Sequence, residues 1–370
     1  MKLNSSKKNN YRHELDGLRA LAVISVIINH FDKSLLPSGY LGVDIFFVLS
    51  GFVITGSLTN RKIGSLGDFI SQFYVRRVKR LVPTLILVSL VTGICTIALV
   101  YKPGFSIKTG LYSLIGFSNH SLLNASTDYF SSSTQLNTFT HTWSLGVEEQ
   151  FYFIFPIIFW LTVYFRKSPQ NKLLFFVIGI FSVISIYLFI CLNNVNQSMA
   201  YFIMPSRFWE LGIGCLTSIF TTYIRESKRE IKIYSLPILL LLISSLFIPH
   251  IHHVSNTISV VLLTSLLIIL IKPGHISFRI FTQKHIKYIG LISYSLYLWH
   301  WPILSLSRWT VGIDLYTALW QTPLMVILSI LTYKYVENTL RKSTWSLKSR
   351  NTIVIGIGSS ILAITILGGA

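Results

Sequence analysis

Eleven apolar runs, each close to the roughly 20 residues that carry a helix across hydrocarbon, follow one another along this chain with short polar joints between them. Such a chain has little choice of fold. In a bilayer each backbone N–H and C=O must find its partner within the protein, so every run folds as a helix. Of the 370 residues, 52% are hydrophobic and 12% are charged, where soluble domains carry about a quarter charged. The fold class that follows is all-α, a polytopic membrane helix bundle. Its spans are predicted near residues 15–32, 40–59, 81–101, 144–165, 172–192, 205–224, 233–249, 255–272, 288–308, 316–336 and 351–369.

Charge sets the orientation. With the N-terminus inside, 25 of the 32 Lys and Arg residues fall in the cytoplasmic segments 1–14, 60–80, 166–172, 225–232, 272–287 and 337–350. The outer segments hold only Lys33, Lys102, Lys108 and Arg308, and Arg19, Arg207 and Lys334 lie within spans. That bias places the N-terminus in the cytoplasm and, after eleven crossings, the C-terminus outside. It also accounts for the net charge of +19, which therefore implies no nucleic-acid partner. The opening MKLNSSKKNN resembles a signal-peptide n-region, but the run after it is long and charged and no small-residue cleavage site follows, so it is read as a retained first span. Cys95, Cys191 and Cys215 all lie in apolar runs and are small packing residues, not a disulfide framework. Residues 108–123 are read as a re-entrant or external element. Counted as a span, they would put the polar stretch 124–143, which has no Lys or Arg, on the cytoplasmic side.

Several spans carry groups that hydrocarbon rejects. Arg19 and His30 are eleven residues apart, which on a helix puts them about 20° from a common face and roughly 16 Å apart in height. A short turn with Pro37 and Gly39 folds the first two spans into a hairpin and brings Asp44 to the depth of His30. This supplies a candidate base, a carboxylate to orient it and a cation toward the other face. Such groups cost at least a few kcal/mol in a span without partners, which makes them functional candidates. Of the adjacent Glu148 and Glu149, at least one faces into the bundle. Arg207 and Glu210 read as an intrahelical ion pair. His300 reads as a packing residue between the belt tryptophans Trp299 and Trp301. His250, His252 and His253 read as a solvated loop, and no carboxylate or Cys nearby completes a metal site. The basic helix FYVRRVKRLVP, with Pro83 in the first turn of the third span, is by itself a lipid anchor. Its Arg77 and Arg80 share a face and could alternatively clamp a phosphate.

The hairpin LDGLRA, His30 and GVDIFFVLSGF, then FYVRRVKRLVP, HTWSLGVEEQFY, RFWELG and SYSLYLWHWP, match one family in kind and order. Across residues 11–341 the chain resembles the integral-membrane acyltransferase-3 family, bacterial enzymes that O-acetylate surface polysaccharides. The resemblance implies a ten-helix acyltransferase core over residues 1–341, with residues 342–370 a linker and an eleventh span. It implies His30 as the catalytic histidine, with Asp44 and Glu148 among the catalytic groups. It also implies Arg19, Arg77 and Arg80 as the acyl-CoA side of the site, which favours the phosphate reading of that helix. Trp143, Ser144 and Glu337 are implied substrate-site residues. The chain departs from the family after Glu337, where Thr339 stands in place of a proline.

What the resemblance implies about activity is transfer of an acyl group from cytoplasmic acetyl-CoA, with no metal, to a hydroxyl of an extracytoplasmic glycan or glycolipid such as lipopolysaccharide O-antigen. The expected location is the bacterial cytoplasmic (inner) membrane, in contact with membrane lipid. His30 would either deprotonate the hydroxyl or carry the acyl group itself. The rival class is a proton-coupled transporter or flippase, which also needs a His–Asp pair in a bundle. Against it stand the paired arginines and the lack of an inverted repeat. The motifs look most like members fused to an external SGNH-type domain, so an external partner domain after the eleventh span is expected.

Overall fold

Two glycines decide which helices meet at the centre. The structure, a computed structural model, describes residues 11–59, 65–124, 132–164, 172–227 and 233–369. The basic residues in 1–10, 60–64, 165–171 and 228–232, which contribute to the predicted charge bias, lie outside them. The described residues are helical with no strand, and eleven helices coincide with the predicted spans. These are α1 (Glu14–Phe31), α2 (Gly42–Thr59), α3 (Leu66–Leu99), α4 (Trp143–Tyr164), α5 (Lys172–Val195), α6 (Met204–Glu226), α7 (Ser235–Ser245), α8 (His253–Leu270), α9 (Ser293–Trp309), α10 (Leu315–Thr332) and α11 (Ser349–Gly368). By length and apolar character α2, α3, α5, α8, α10 and α11 can each cross a membrane.

Helix α2 is the most enclosed of those six: 72% of its apolar stretch is buried, against 22% for α10 and for α11. It packs most extensively on α6, and the reason is steric. A Cβ on Gly51 would strike the carbonyl of Leu211, and one on Gly214 would strike the carbonyl of Val48. Small residues at a crossing let two backbones touch, which is how helices gain contact where lipid removes the hydrophobic drive. Helix α1 lies on the other side of α2 and is also enclosed by α9 and by the short helices Ile276–Thr282 and Lys284–Leu291.

Two predicted elements differ in detail. The basic helix and the third span form one continuous 34-residue helix, so Pro83 sits inside α3, not in a first turn. Residues 108–123 fall in two short helices, Gly104–Ser113 and Ser118–Asn124, joined through Gly116 at φ +75°. At 10 and 7 residues neither can span, since about 20 are needed. The pair rests on α4, where Gln150 donates to the Gly116 carbonyl at 3.1 Å and to Asn119 Oδ1 at 2.9 Å. Helix α11 packs along α3, with Leu367 seated at Gly93 and Val78 at Gly356.

Candidate active site

Helices α1, α2, α3, α4 and α9 line a partly open cavity, about 680 Å³ of atom-free space with its open mouth included, bounded by Arg19, Arg77, Arg80, Ser144, Glu148 and Tyr297, among others. Three guanidinium groups therefore share one chamber with a single lining carboxylate. Arg77 rests on the Tyr152 ring, 4.5 Å from its centroid. Arg80 Nε is buried without a hydrogen-bond partner among the described residues. Among the described residues Arg19 has only a long contact, 3.8 Å, to Asp16, whose Oδ1 already accepts from Tyr11 at 2.9 Å. Glu148 is more tightly held: Oε1 accepts from Ser50 at 2.7 Å and Oε2 from Tyr152 at 2.8 Å. Guanidinium forks with spare donors around a partly open cavity are suited to phosphate oxygens.

The cavity wall formed by Ser144 and Tyr297 leads to histidines. The Tyr297 hydroxyl donates to the carbonyl of His141 at 2.9 Å, which leaves Ser144 Oγ, 3.3 Å from that carbonyl, to donate to the Tyr297 oxygen at 2.8 Å. The Tyr297 ring lies 5.2 Å from the His300 ring and 5.7 Å from that of His141. His30, in the last turn of α1, sits beyond them, its Nδ1 3.1 Å from His300 Nε2. All three histidines are buried. The Trp301 ring meets His30 edge-on at 4.6 Å, and Arg308 caps α1 by donating to the His30 carbonyl at 2.7 Å. Arg19 and His30 thus stand on one helix, the first lining the cavity and the second behind its far wall.

Asp44 does not orient His30. Its Oδ1 accepts from Arg207 Nη2 at 2.7 Å, and Arg207 Nη1 meets Glu210 at 3.0 Å. The predicted Arg207–Glu210 pair is present, and Asp44 joins it because the Gly51–Gly214 contact brings α2 and α6 close enough for the side chains to meet. Trp143 belongs to this cluster too. Its ring lies 5.7 Å below the Arg207 guanidinium, with Phe47, Phe189 and Tyr201 at 5.2–5.8 Å. Glu337 lies in a single π-type turn, Tyr333–Glu337, and accepts from Ser295 at 2.9 Å. Thr339, in place of the family's proline, donates its hydroxyl to the Lys334 carbonyl at 3.0 Å.

The tryptophans flanking His300 form no interfacial belt. Both are buried, Trp299 donating to Thr332 Oγ1 at 2.9 Å and Trp301 to the Asn137 carbonyl at 2.8 Å. His300 is accordingly a neighbour of His30, not a spacer. His141 was missed altogether; its signal is its place beside Trp143 and Ser144 in HTWSLG, two residues already singled out. The histidines between α7 and α8 make defined contacts, with His250 and His253 stacked at 4.9 Å and His253 Nε2 2.7 Å from Asn193 Oδ1.

Comparison with known proteins identifies the family. The family described as "Acyltransferase domain", acyltransferase-3, matches residues 12–333. The O-acetyltransferase OatA of Staphylococcus aureus strain NCTC 8325 is 30% identical over 354 residues, covering 90% of this chain and 57% of OatA. A second protein of that species, from strain MSSA476 and named provisionally as an O-acetyltransferase, is 32% identical over 357 residues, covering 91% of this chain and 58% of its own length. The chain thus spans a little over half the length of these curated relatives. No solved structure matches it. With the family match covering nearly the whole chain, from the first described helix through α10, this multi-pass membrane protein belongs to the acyltransferase-3 family.

Proposed function

We propose that the chain is the membrane part of an acetyl-CoA-dependent O-acetyltransferase that acts on a hydroxyl of an extracytoplasmic glycan. The observation that carries this reading is the cavity with three arginines and a far wall of Ser144 and Tyr297, backed by buried His30 and His300. Arg77, Arg80 and Arg19 hold the phosphates of acetyl-CoA, and the pantetheine arm runs through the cavity toward Tyr297. His30 removes the acceptor hydroxyl proton as the oxygen attacks the thioester carbonyl. The C–O bond forms, the C–S bond breaks, and the departing thiolate takes up the proton. Glu148, which accepts from Ser50 and Tyr152, ties α4 to α2 beside the arginines. Ser144 completes the polar lining, Glu337 is held by Ser295 outside it, and Trp143 and Asp44 hold α2 to α6 through Arg207. The setting is the bacterial cytoplasmic membrane with the N-terminus inside. The greater length of the relatives fits a further external domain, of the SGNH type, that receives the acetyl group beyond α11.

Membrane vesicles incubated with labelled acetyl-CoA test this. Label should reach glycan on the side opposite the nucleotide, and His30→Ala should accumulate normally yet release no CoA and transfer nothing. Wild-type turnover in His30→Ala, or label confined to the side of the nucleotide, would sink the proposal.

A further inference from the structure

A carbonyl oxygen can only accept, and this fact settles where the proton lies in the histidine pair. His300 Nδ1 is 2.6 Å from the carbonyl of Tyr297, one turn back on α9, so that nitrogen carries the hydrogen. The neutral ring then has its lone pair on Nε2, the atom 3.1 Å from His30 Nδ1. That contact is a hydrogen bond only if His30 Nδ1 donates. The rings are parallel to within 2° with centroids 5.3 Å apart. The excess of that distance over the nitrogen separation is about two ring radii, so the two nitrogens point at each other in plane. A second proton on His300 would reverse the bond and add a positive charge among neighbours that are cationic or neutral. The charged and titratable groups facing the pair are Arg308 from α9, His141 from the turn before α4 and Lys33 from beyond α1. Among the described residues no carboxylate joins them.

We infer that His300 is the positioning residue of this site, fixing His30 in the tautomer that carries its proton on Nδ1 and presents the Nε2 lone pair to the reacting hydroxyl. The inference rests on the catalytic reading of His30 given above. It assigns to a histidine on α9 the orienting task that the sequence assigned to Asp44. Which ring nitrogen keeps its lone pair is set by what the opposite nitrogen bonds, and an outer partner of this kind is worth about 10- to 100-fold where it has been removed from metal-bound histidines.

Two substitutions and one spectrum test it. His300→Phe keeps a planar ring and deletes the acceptor, whereas His300→Gln can return an oxygen near the position of Nε2. In membranes supplied with acetyl-CoA, His300→Phe should lower CoA release by roughly 10²-fold with acetyl-CoA affinity unchanged. His300→Gln should remain within roughly tenfold of wild type. In magic-angle-spinning spectra of the full chain labelled in its histidines, the resonances lost in His30→Ala identify His30. They should report protonated Nδ1 in the wild type and a shift toward protonated Nε2 in His300→Phe. A wild-type spectrum with the proton on Nε2 overturns the inference, as does full turnover in His300→Phe. Turnover in His30→Ala overturns the catalytic reading instead, and a dead His30→Ala beside an active His300→Phe overturns only the tautomer. Should His300→Phe fail to accumulate, the wild-type spectrum alone decides.

Discussion

Arg207 and the Arg19–Arg77–Arg80 group are both arginine sites inside a membrane bundle, yet their surroundings differ. Arg207 is 2% exposed at its side chain, bonded to Asp44 and Glu210, and boxed by four aromatic rings. The cavity arginines share one lining carboxylate, already occupied by Ser50 and Tyr152, and Arg80 Nε has no partner among the described residues. Arg207 Nε likewise has no hydrogen-bond partner among the described residues, so what separates the cases is charge: a cation met by two carboxylates joins helices, because it is balanced from within the fold. Cations left short of carboxylates around open space are balanced only when an anion arrives. Residue type alone does not separate the two cases; the count of carboxylates does.

Substitutions at four positions break or sharpen that contrast. The largest effect belongs to Arg207→Met, which strands two carboxylates in the α2–α6 contact. Breaking a buried ionic cluster from one side costs about 3–5 kcal/mol, so this variant should fail to accumulate in membranes at wild-type levels, as read by immunoblot and thermal melting. Normal accumulation would mean the cluster is not structural. Arg80→Ala and Arg77→Ala should do the reverse and leave accumulation intact. Each should weaken acetyl-CoA binding by about 1.5–3 kcal/mol, roughly ten- to a hundredfold by titration on purified protein. Unchanged affinity would return this part of α3 to a lipid anchor. The smallest effect is expected at Tyr152. Tyr152→Phe keeps the ring under Arg77 and should bind acetyl-CoA much as the wild type does, whereas Tyr152→Leu removes a cation–π contact worth about 0.5–1 kcal/mol and should weaken binding several-fold. Equal losses in both variants would assign the effect to the Glu148 hydrogen bond instead.

The two arginine sites also mark what was legible in the sequence. Helices and their order were, because apolar length and loop charge are local properties. The Arg207–Glu210 pair was legible because residues three apart on a helix are neighbours. Its third member was not, since Asp44 lies 163 residues away and reaches Arg207 only through a glycine crossing. His300 was hidden for a related reason. Tryptophan in an apolar run reads as an interfacial anchor until the indole N–H is seen bonded inside the protein. Arg77 and Arg80 were visible as a pair, but the wall opposite them comes from four other helices, and one strand of sequence does not show what faces it.

The unbroken α3 also settles how the molecule rides in its bilayer. Its 34 residues extend about 51 Å at about 1.5 Å each, while the hydrocarbon slab is only about 30 Å thick. Roughly 20 Å of rod must therefore stand clear of the acyl chains. Its two ends show which part that is: Asp68, Gln72 and Arg76 are exposed near the start, and Ile94 and Leu99 near the finish. The waterline is thus fixed by a rigid member that also carries Arg77 and Arg80. A thicker or thinner membrane meets that member through tilt or local lipid compression, at a fraction of a kcal/mol per Å, and the height of Arg77 and Arg80 relative to the acyl chains is set by the protein rather than by the lipid around it.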